Sequence, residues 1–223
     1  MKRLVILISG RGSNMAALID AVQSGGIAAE VAAVISNRAD AAGLERAAAA
    51  GVATAVVDHR SFADRGLFER ELGAAIDARA PDLVALAGFM RVLSPAFVAR
   101  YEGRLLNIHP SLLPLYPGLD THRRALADGV RIHGCTVHFV TAEVDHGPIV
   151  AQGAVAVRDG DDEATLAARV LAAEHRLFAA AVRWFCEDRL IIVGGRVRVK
   201  GETAGDEALL APAVAQTPNP PPR

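Results

Sequence analysis

An amide and an imidazole, Asn107 and His109, stand at the end of the largely apolar run Arg104 to His109. Alternate residues of a strand face the same side, so Asn107 and His109 share one face while Leu106 and Ile108 share the other. Pro110 follows and has no backbone N–H, so strand pairing stops there. An amide N–H can donate to a developing oxyanion, and an imidazole moves protons near neutral pH. A purely local account also fits: Asn107 capping a turn and His109 as a hydrogen-bonded core histidine. A carboxylate, Asp145, sits in Thr-Ala-Glu-Val-Asp-His-Gly-Pro at 141–148. An acid beside an imidazole favours its charged form. An Asp before His-Gly equally suits a plain turn.

A second feature lies near the start. Ser9-Gly10-Arg11-Gly12-Ser13-Asn14 follows an apolar run and opens a helical pattern. Backbone amides at a helix N-terminus favour anions, and glycines let a phosphate approach closely. A dinucleotide fingerprint would place a third glycine where Met15 stands, and an acid where Asn37-Arg38 stands. A nicotinamide cofactor is therefore not expected. The absence of Gly-Lys-Ser/Thr excludes a Walker loop. Two readings stay open: a tight turn capped by Ser13 or Asn14, or a monophosphate cradle made by the amides of Gly12, Ser13 and Asn14.

The totals narrow the class. The chain has 223 residues, 52% hydrophobic and 22% charged. That suits one domain or two small ones with a sizeable core. Lys and Arg number 24 against 25 Asp and Glu, a net charge of −1. No field of one sign is available for nucleic acid or an anionic membrane. Cys135 and Cys186 form no Cys-x-x-Cys pair, which argues for a reducing compartment without disulfides or zinc-thiolate sites. Lys2-Arg3 before Leu4 to Ile8 is too short for a signal peptide, and no stretch matches a membrane span. A cytoplasmic protein is expected. His133, His138 and His146 match no zinc-ligand spacing, so no metal is expected. His122, His138 and His175 read as supporting or structural groups.

These residues need a scaffold. Runs Arg3–Ser9, Glu30–Ser36, Val52–Val57 and Asp82–Ala87 read as strands. Met15–Gln23, Ala39–Ala50 and Arg65–Ala80 read as helices between them. Such alternation predicts an α/β fold with a doubly wound, mostly parallel sheet. Ser94-Pro95 opens a short helix with a cap and an N1 proline. Arg104–His109 is the fifth strand. Leu119–Asp128 then reads as a helix, Gly134–Thr141 and Pro148–Val157 as an antiparallel hairpin, and Asp161–Glu187 as a long amphipathic helix. Gly194-Gly195 between Leu190–Val193 and Arg196–Lys200 reads as a two-residue hairpin turn. Residues 1–200 are expected to form a single domain, with a phosphate-binding half (1–103) and a catalytic half (104–200). Residues 201–223, rich in Ala and Pro, are expected to be a disordered tail.

Several stretches resemble the phosphoribosylglycinamide formyltransferases, 10-formyltetrahydrofolate-dependent enzymes of purine synthesis. They are Ile8 to Asn14, Leu86 to Pro95, Leu105 to Pro114 and Val137 to Val140, in register from about Leu4 to Leu190. Asn-Ile-His-Pro-Ser-Leu-Leu-Pro marks formyl-folate enzymes as a group, and the Gly-Ser-Asn loop narrows it to a substrate carrying a ribose phosphate. The resemblance implies a Rossmann-like formyltransferase fold. It implies catalytic roles for Asn107, His109 and Asp145. It implies substrate contacts from Gly12, Ser13, Asn14, Met15, Ala16 and Glu174. It implies folate contacts from Arg65, Met90, Arg91, Val92, Leu93 and Asn107. The co-substrate would be 10-formyltetrahydrofolate, the partners small molecules, and the protein a monomer or homodimer. Two residues depart from the family pattern: Asp120 stands where a His is expected, and His146 where a second Gly is usual.

Rival readings remain. A methionyl-tRNA formyltransferase would carry a basic C-terminal domain, and a formyltetrahydrofolate hydrolase an extra N-terminal domain. A non-catalytic phosphometabolite sensor would use the glycine loop without needing His109 and Asp145 together.

Overall fold

A computed structural model describes residues 1–202 and Ala211. The expected disordered tail therefore falls outside the described residues, apart from Gly201, Glu202 and Ala211. Among the described residues, no helix is long and apolar enough to cross a membrane.

The strands are β1 (Lys2–Ile8), β2 (Ala29–Ser36), β3 (Thr54–Val56), β4 (Leu83–Leu86), β5 (Leu105–His109), β6 (Ile132–Phe139), β7 (Ile149–Ala156), β8 (Leu190–Val193) and β9 (Arg196–Val199). The helices are α1 (Ser13–Gln23), α2 (Gly43–Ala49), α3 (Arg65–Asp77), α4 (Pro95–Arg100), α5 (Thr121–Ala127) and α6 (Glu163–Cys186). Seven strands form one sheet in the order β3-β2-β1-β4-β5-β6-β7. The pairs from β3 through β5 are parallel, and β6 and β7 add antiparallel. The doubly wound expectation and the antiparallel extension both hold.

Alternation along β1 explains its uninterrupted apolar run. Leu4, Ile6 and Ile8 enter a core with Leu18 of α1 and Val170 and Phe178 of α6. Val5 and Leu7 enter a second core with Phe68 and Leu72 of α3 and Phe97 of α4. A central strand buried on both faces has no place for polar alternation. Helix α6 buries Leu166, Val170, Glu174, Phe178 and Ala181 along one stripe and starts at a capping box between Asp162 and Thr165.

Some element ends differ from the sequence reading. Helix α2 starts at Gly43 rather than near Ala39, because the Gly43 amide donates to the Gly10 carbonyl at 3.0 Å instead of lying inside a longer helix. Helix α1 starts at Ser13, and neither Ser13 nor Asn14 caps it. Its N-cap is Gly12, in the left-handed region at φ 68°, without a side-chain cap. The Gly194-Gly195 turn joins β8 to β9 as read, both glycines having positive φ.

Candidate active site

The strand order reverses between β1 and β4, and a ligand crevice opens at the carboxyl ends of parallel strands at such a point. The loops after β1 and β4 meet there. Ser9 N–H donates to the Gly88 carbonyl at 3.1 Å, and Met90 N–H to Ser9 Oγ at 2.7 Å. Ser9 Oγ in turn donates to Asn37 Oδ1 at 2.6 Å. Residues 88–90 are thus fastened to the glycine loop.

Register places the catalytic candidates. Asn107 of β5 lies opposite His138 of β6, and His109 opposite Thr136. Asn107 Nδ2 is 3.1 Å from His138 Nε2, and His138 Nδ1 is 2.9 Å from the Phe139 carbonyl oxygen. A carbonyl only accepts, so Nδ1 carries the hydrogen and Nε2 accepts from the Asn107 amide. Burial pushes the His138 pKa down, which keeps this ring neutral. The Asn107 amide therefore has a fixed orientation.

Asp145 enters from the loop between β6 and β7. Its backbone is left-handed, at φ 57°, a conformation Asp tolerates better than most residues. Its Oδ2 lies 3.5 Å from His109 Nδ1, and its Oδ1 lies 3.7 Å from His138 Nε2. Gly118 N–H donates to Oδ2 at 2.8 Å. His109 is 6% exposed, and the Asp145 side chain 9%. The Asp145 and His109 side chains therefore stand at a direct ion-pair distance. Gly147, two residues on, admits no side chain, since a Cβ there would collide with the Phe139 carbonyl.

His109 Nε2 faces the Tyr116 carbonyl at 2.9 Å. Both ring nitrogens thus face acceptor oxygens. The loop carrying that carbonyl is pinned by Thr136, whose Oγ1 donates to Ser111 O at 2.7 Å and accepts from Leu113 N at 3.0 Å. Gln152 Nε2 also donates to Leu113 O at 2.8 Å. Beneath it, His133 packs edge-on to Tyr116 and His122, with ring centroids 5.8 and 5.3 Å away. Burial pushes the His133 pKa down to about 4.

At the glycine loop, no side chain caps the first turn of α1. The amides of Ser13, Asn14 and Met15 are the ones a helix leaves unpaired. Asn14 instead donates from Nδ2 to Glu174 Oε2 of α6 at 2.7 Å. The predicted substrate residues Asn14 and Glu174 are therefore in contact although 160 positions apart.

The folate candidates are more spread. Met90 and Val92 are 62% and 58% exposed, Arg91 is exposed, and Leu93 is buried. Glu69 of α3 accepts from Ser94 N at 2.7 Å and from Ser94 Oγ, tying residues 90–94 to α3. Arg65 lies 3.9 Å from Glu69. A cleft of about 510 Å³ next to this point is lined by Asp64, Glu69, Arg70, Ser94 and Arg100, among others. None of Asn107, His109 and Asp145 lines it.

Of the departures, Asp120 is the N-terminal residue of α5's entry, at φ 58°, paired with Arg123. His146 is exposed, its Nδ1 2.7 Å from Val144 O. Sequence reasoning passed over Tyr116, Gly118, Thr136 and Gln152 and left the role of His138 open. Only the strand register opposite Asn107 reveals what His138 does.

The fold and the site define a formyltransferase: the chain belongs to that family, whose description is Formyl transferase and which matches residues 2–182. Within it the chain belongs with the phosphoribosylglycinamide formyltransferases. It is 54% identical over 187 residues to the Escherichia coli (strain K12) phosphoribosylglycinamide formyltransferase, covering 84% of this chain and 88% of that one. It is 47% identical to part of the Homo sapiens trifunctional purine biosynthetic protein adenosine-3, covering 81% of this chain and 18% of that one. The crystal structure of glycinamide ribonucleotide transformylase 1 from Symbiobacterium toebii superposes with a TM-score of 0.87 at 49% identity, covering 89% of this chain and 94% of that one.

Proposed function

We propose that this chain transfers the formyl group of 10-formyltetrahydrofolate to the amine of 5'-phosphoribosylglycinamide, giving N-formylglycinamide ribonucleotide and tetrahydrofolate. The observation that carries this reading is the 3.5 Å approach of Asp145 to His109, beside the oriented Asn107 amide.

The substrate amine attacks the formyl carbon, and the carbonyl electron pair moves onto oxygen. Asn107 N–H and a His109 N–H donate to that oxyanion, each worth roughly 3–4 kcal/mol in a preorganised site. The Nε2 hydrogen reaches substrate by exchanging its bond to the Tyr116 carbonyl. The carbon–N10 bond then breaks; the amine gives up one proton and N10 takes one, with His109 as the relay. Asp145 orients the ring and balances its charge. The amine is itself the nucleophile, so no covalent intermediate forms on the protein.

The amides of Gly12, Ser13 and Asn14 hold the phosphate, with Met15 and Ala16 continuing that segment and Glu174 meeting the glycinamide ribonucleotide. Arg65 and Met90 to Leu93 hold the folate, its flat ring against the backbone after β4. Residues 1–200 act as one domain, and its two halves both supply site residues. The protein works in the cytoplasm, in keeping with its unpaired thiols Cys135 and Cys186, as a monomer or homodimer without nucleic acid.

A spectroscopic assay of folate deformylation, run with and without the ribonucleotide amine, tests this. Turnover only with the amine is expected. Equal turnover without it would identify a hydrolase, and no turnover in either case a sensor.

A further inference from the structure

Among the described residues, none of Arg91, Val92 and Leu93 makes a backbone hydrogen bond. Where their amides and carbonyls stand depends on what holds the two ends of the segment. At one end, Glu69 accepts from both the backbone and the hydroxyl of Ser94. At the other, Met90 N–H donates to Ser9 Oγ at 2.7 Å, and Ser9 N–H donates to the Gly88 carbonyl at 3.1 Å.

The Met90 bond hangs on a hydroxyl, which rotates unless its own hydrogen has an acceptor. Ser9 is 7% exposed, and a buried hydroxyl without an acceptor is costly. Asn37 supplies that acceptor: Ser9 Oγ donates to its Oδ1 at 2.6 Å. Giving up this hydrogen turns the lone pairs of Oγ to Met90 and makes the oxygen a stronger acceptor. Asn37 is 2% exposed and is itself held by its backbone. Its N–H donates to the Ile8 carbonyl at 3.4 Å, and its carbonyl accepts from His59 N–H at 3.3 Å. A dinucleotide-binding sheet places an acid at this position, after the second strand, to meet a ribose hydroxyl. Here the position carries an amide bonded to Ser9.

We propose that Asn37 is a positioning residue for the folate: through the Ser9 hydroxyl it fixes the Met90 amide, and with it the backbone of residues 91–93. This rests on the folate assignment of the proposed function.

The test measures equilibrium binding of tetrahydrofolate to the full chain, together with steady-state kinetics. Asn37→Leu keeps the size and removes the acceptor. It should weaken tetrahydrofolate binding and raise the KM for 10-formyltetrahydrofolate by about 10-fold, the scale of one hydrogen bond. The KM for the ribonucleotide amine and kcat should stay within about twofold, because binding common to ground and transition states is lost. A general loss of folded protein would lower kcat instead. Asn37→Asp retains an oxygen facing Ser9 and should restore most of the folate affinity. Adding Asn37→Leu to Ser9→Ala should cost nothing beyond Ser9→Ala, since Asn37 acts through that hydroxyl. Should Asn37→Leu not fold, Ser9→Ala alone carries the test, with the same loss confined to folate. Unchanged folate affinity in folded Asn37→Leu or in Ser9→Ala overturns the proposal, as do losses that multiply in the double variant. Those results leave the formyl transfer standing. No tetrahydrofolate binding by the unaltered protein would overturn the folate assignment and this proposal together.

Discussion

His109 and Asp145 fall under opposite demands: each must be shielded from water, yet each needs a partner. Their 3.5 Å approach meets both. His109→Ala and Asp145→Ala should each lower kcat by about 100-fold or more. Affinity for the ribonucleotide amine should change little; near-normal kcat in both variants would exclude the mechanism. His138 makes a subtler case. Its Nε2 accepts from Asn107, so His138→Phe removes the acceptor while keeping bulk in a buried position. Single-turnover kinetics should show formyl transfer slowed about 10-fold with both KM values held, because a misoriented oxyanion donor weakens the transition state alone.

At the scale of elements, the α1 N-terminus depends on a glycine. Gly12 has φ 68°, and a Cβ there would sit 3.0 Å from Gly43 Cα. Gly12→Ala should cost about 1–2 kcal/mol of stability through left-handed strain. It should also weaken inorganic phosphate binding, because the turn shifts against α2. Thermal unfolding and phosphate titration check the two effects separately. Unchanged phosphate affinity would remove the role given to this turn. The same elements explain the misread boundaries. Nothing in Ala39 to Ala50 announces that Gly43 N–H bonds to the Gly10 carbonyl, because that partner comes from another loop.

For the molecule as a whole, buried histidines make the fold sensitive to acid below their ordinary pKa. Burial holds the His133 pKa near 4 against an ordinary 6.5, and it pushes His122 and His138 down as well. The unfolded chain binds protons first as pH falls below 6.5, so stability drops from there towards about 4. His133 alone accounts for up to about 3 kcal/mol of that loss, at about 1.4 kcal/mol per pKa unit. Chemical denaturation between these pH values should show the slope, and His133→Phe should flatten it. An unchanged slope would place the acid sensitivity elsewhere.

The doubly wound sheet was legible because apolar runs, helical patterns and glycine breaks are local. So were Asn107 and His109, whose shared face follows from the period of a strand. The glycine loop was legible as the opening of a helix but not in its cap, since Gly12 takes that place and Asn14 turns to a carboxylate on α6. Tertiary structure alone brought Asp145 to His109, set His138 behind Asn107 and aimed the Tyr116 carbonyl at the ring. Residue type and spacing decide what a side chain can do; the register of β5 on β6 and the course of two loops decide which others it meets. Those follow from packing across the sheet, which no window of sequence contains.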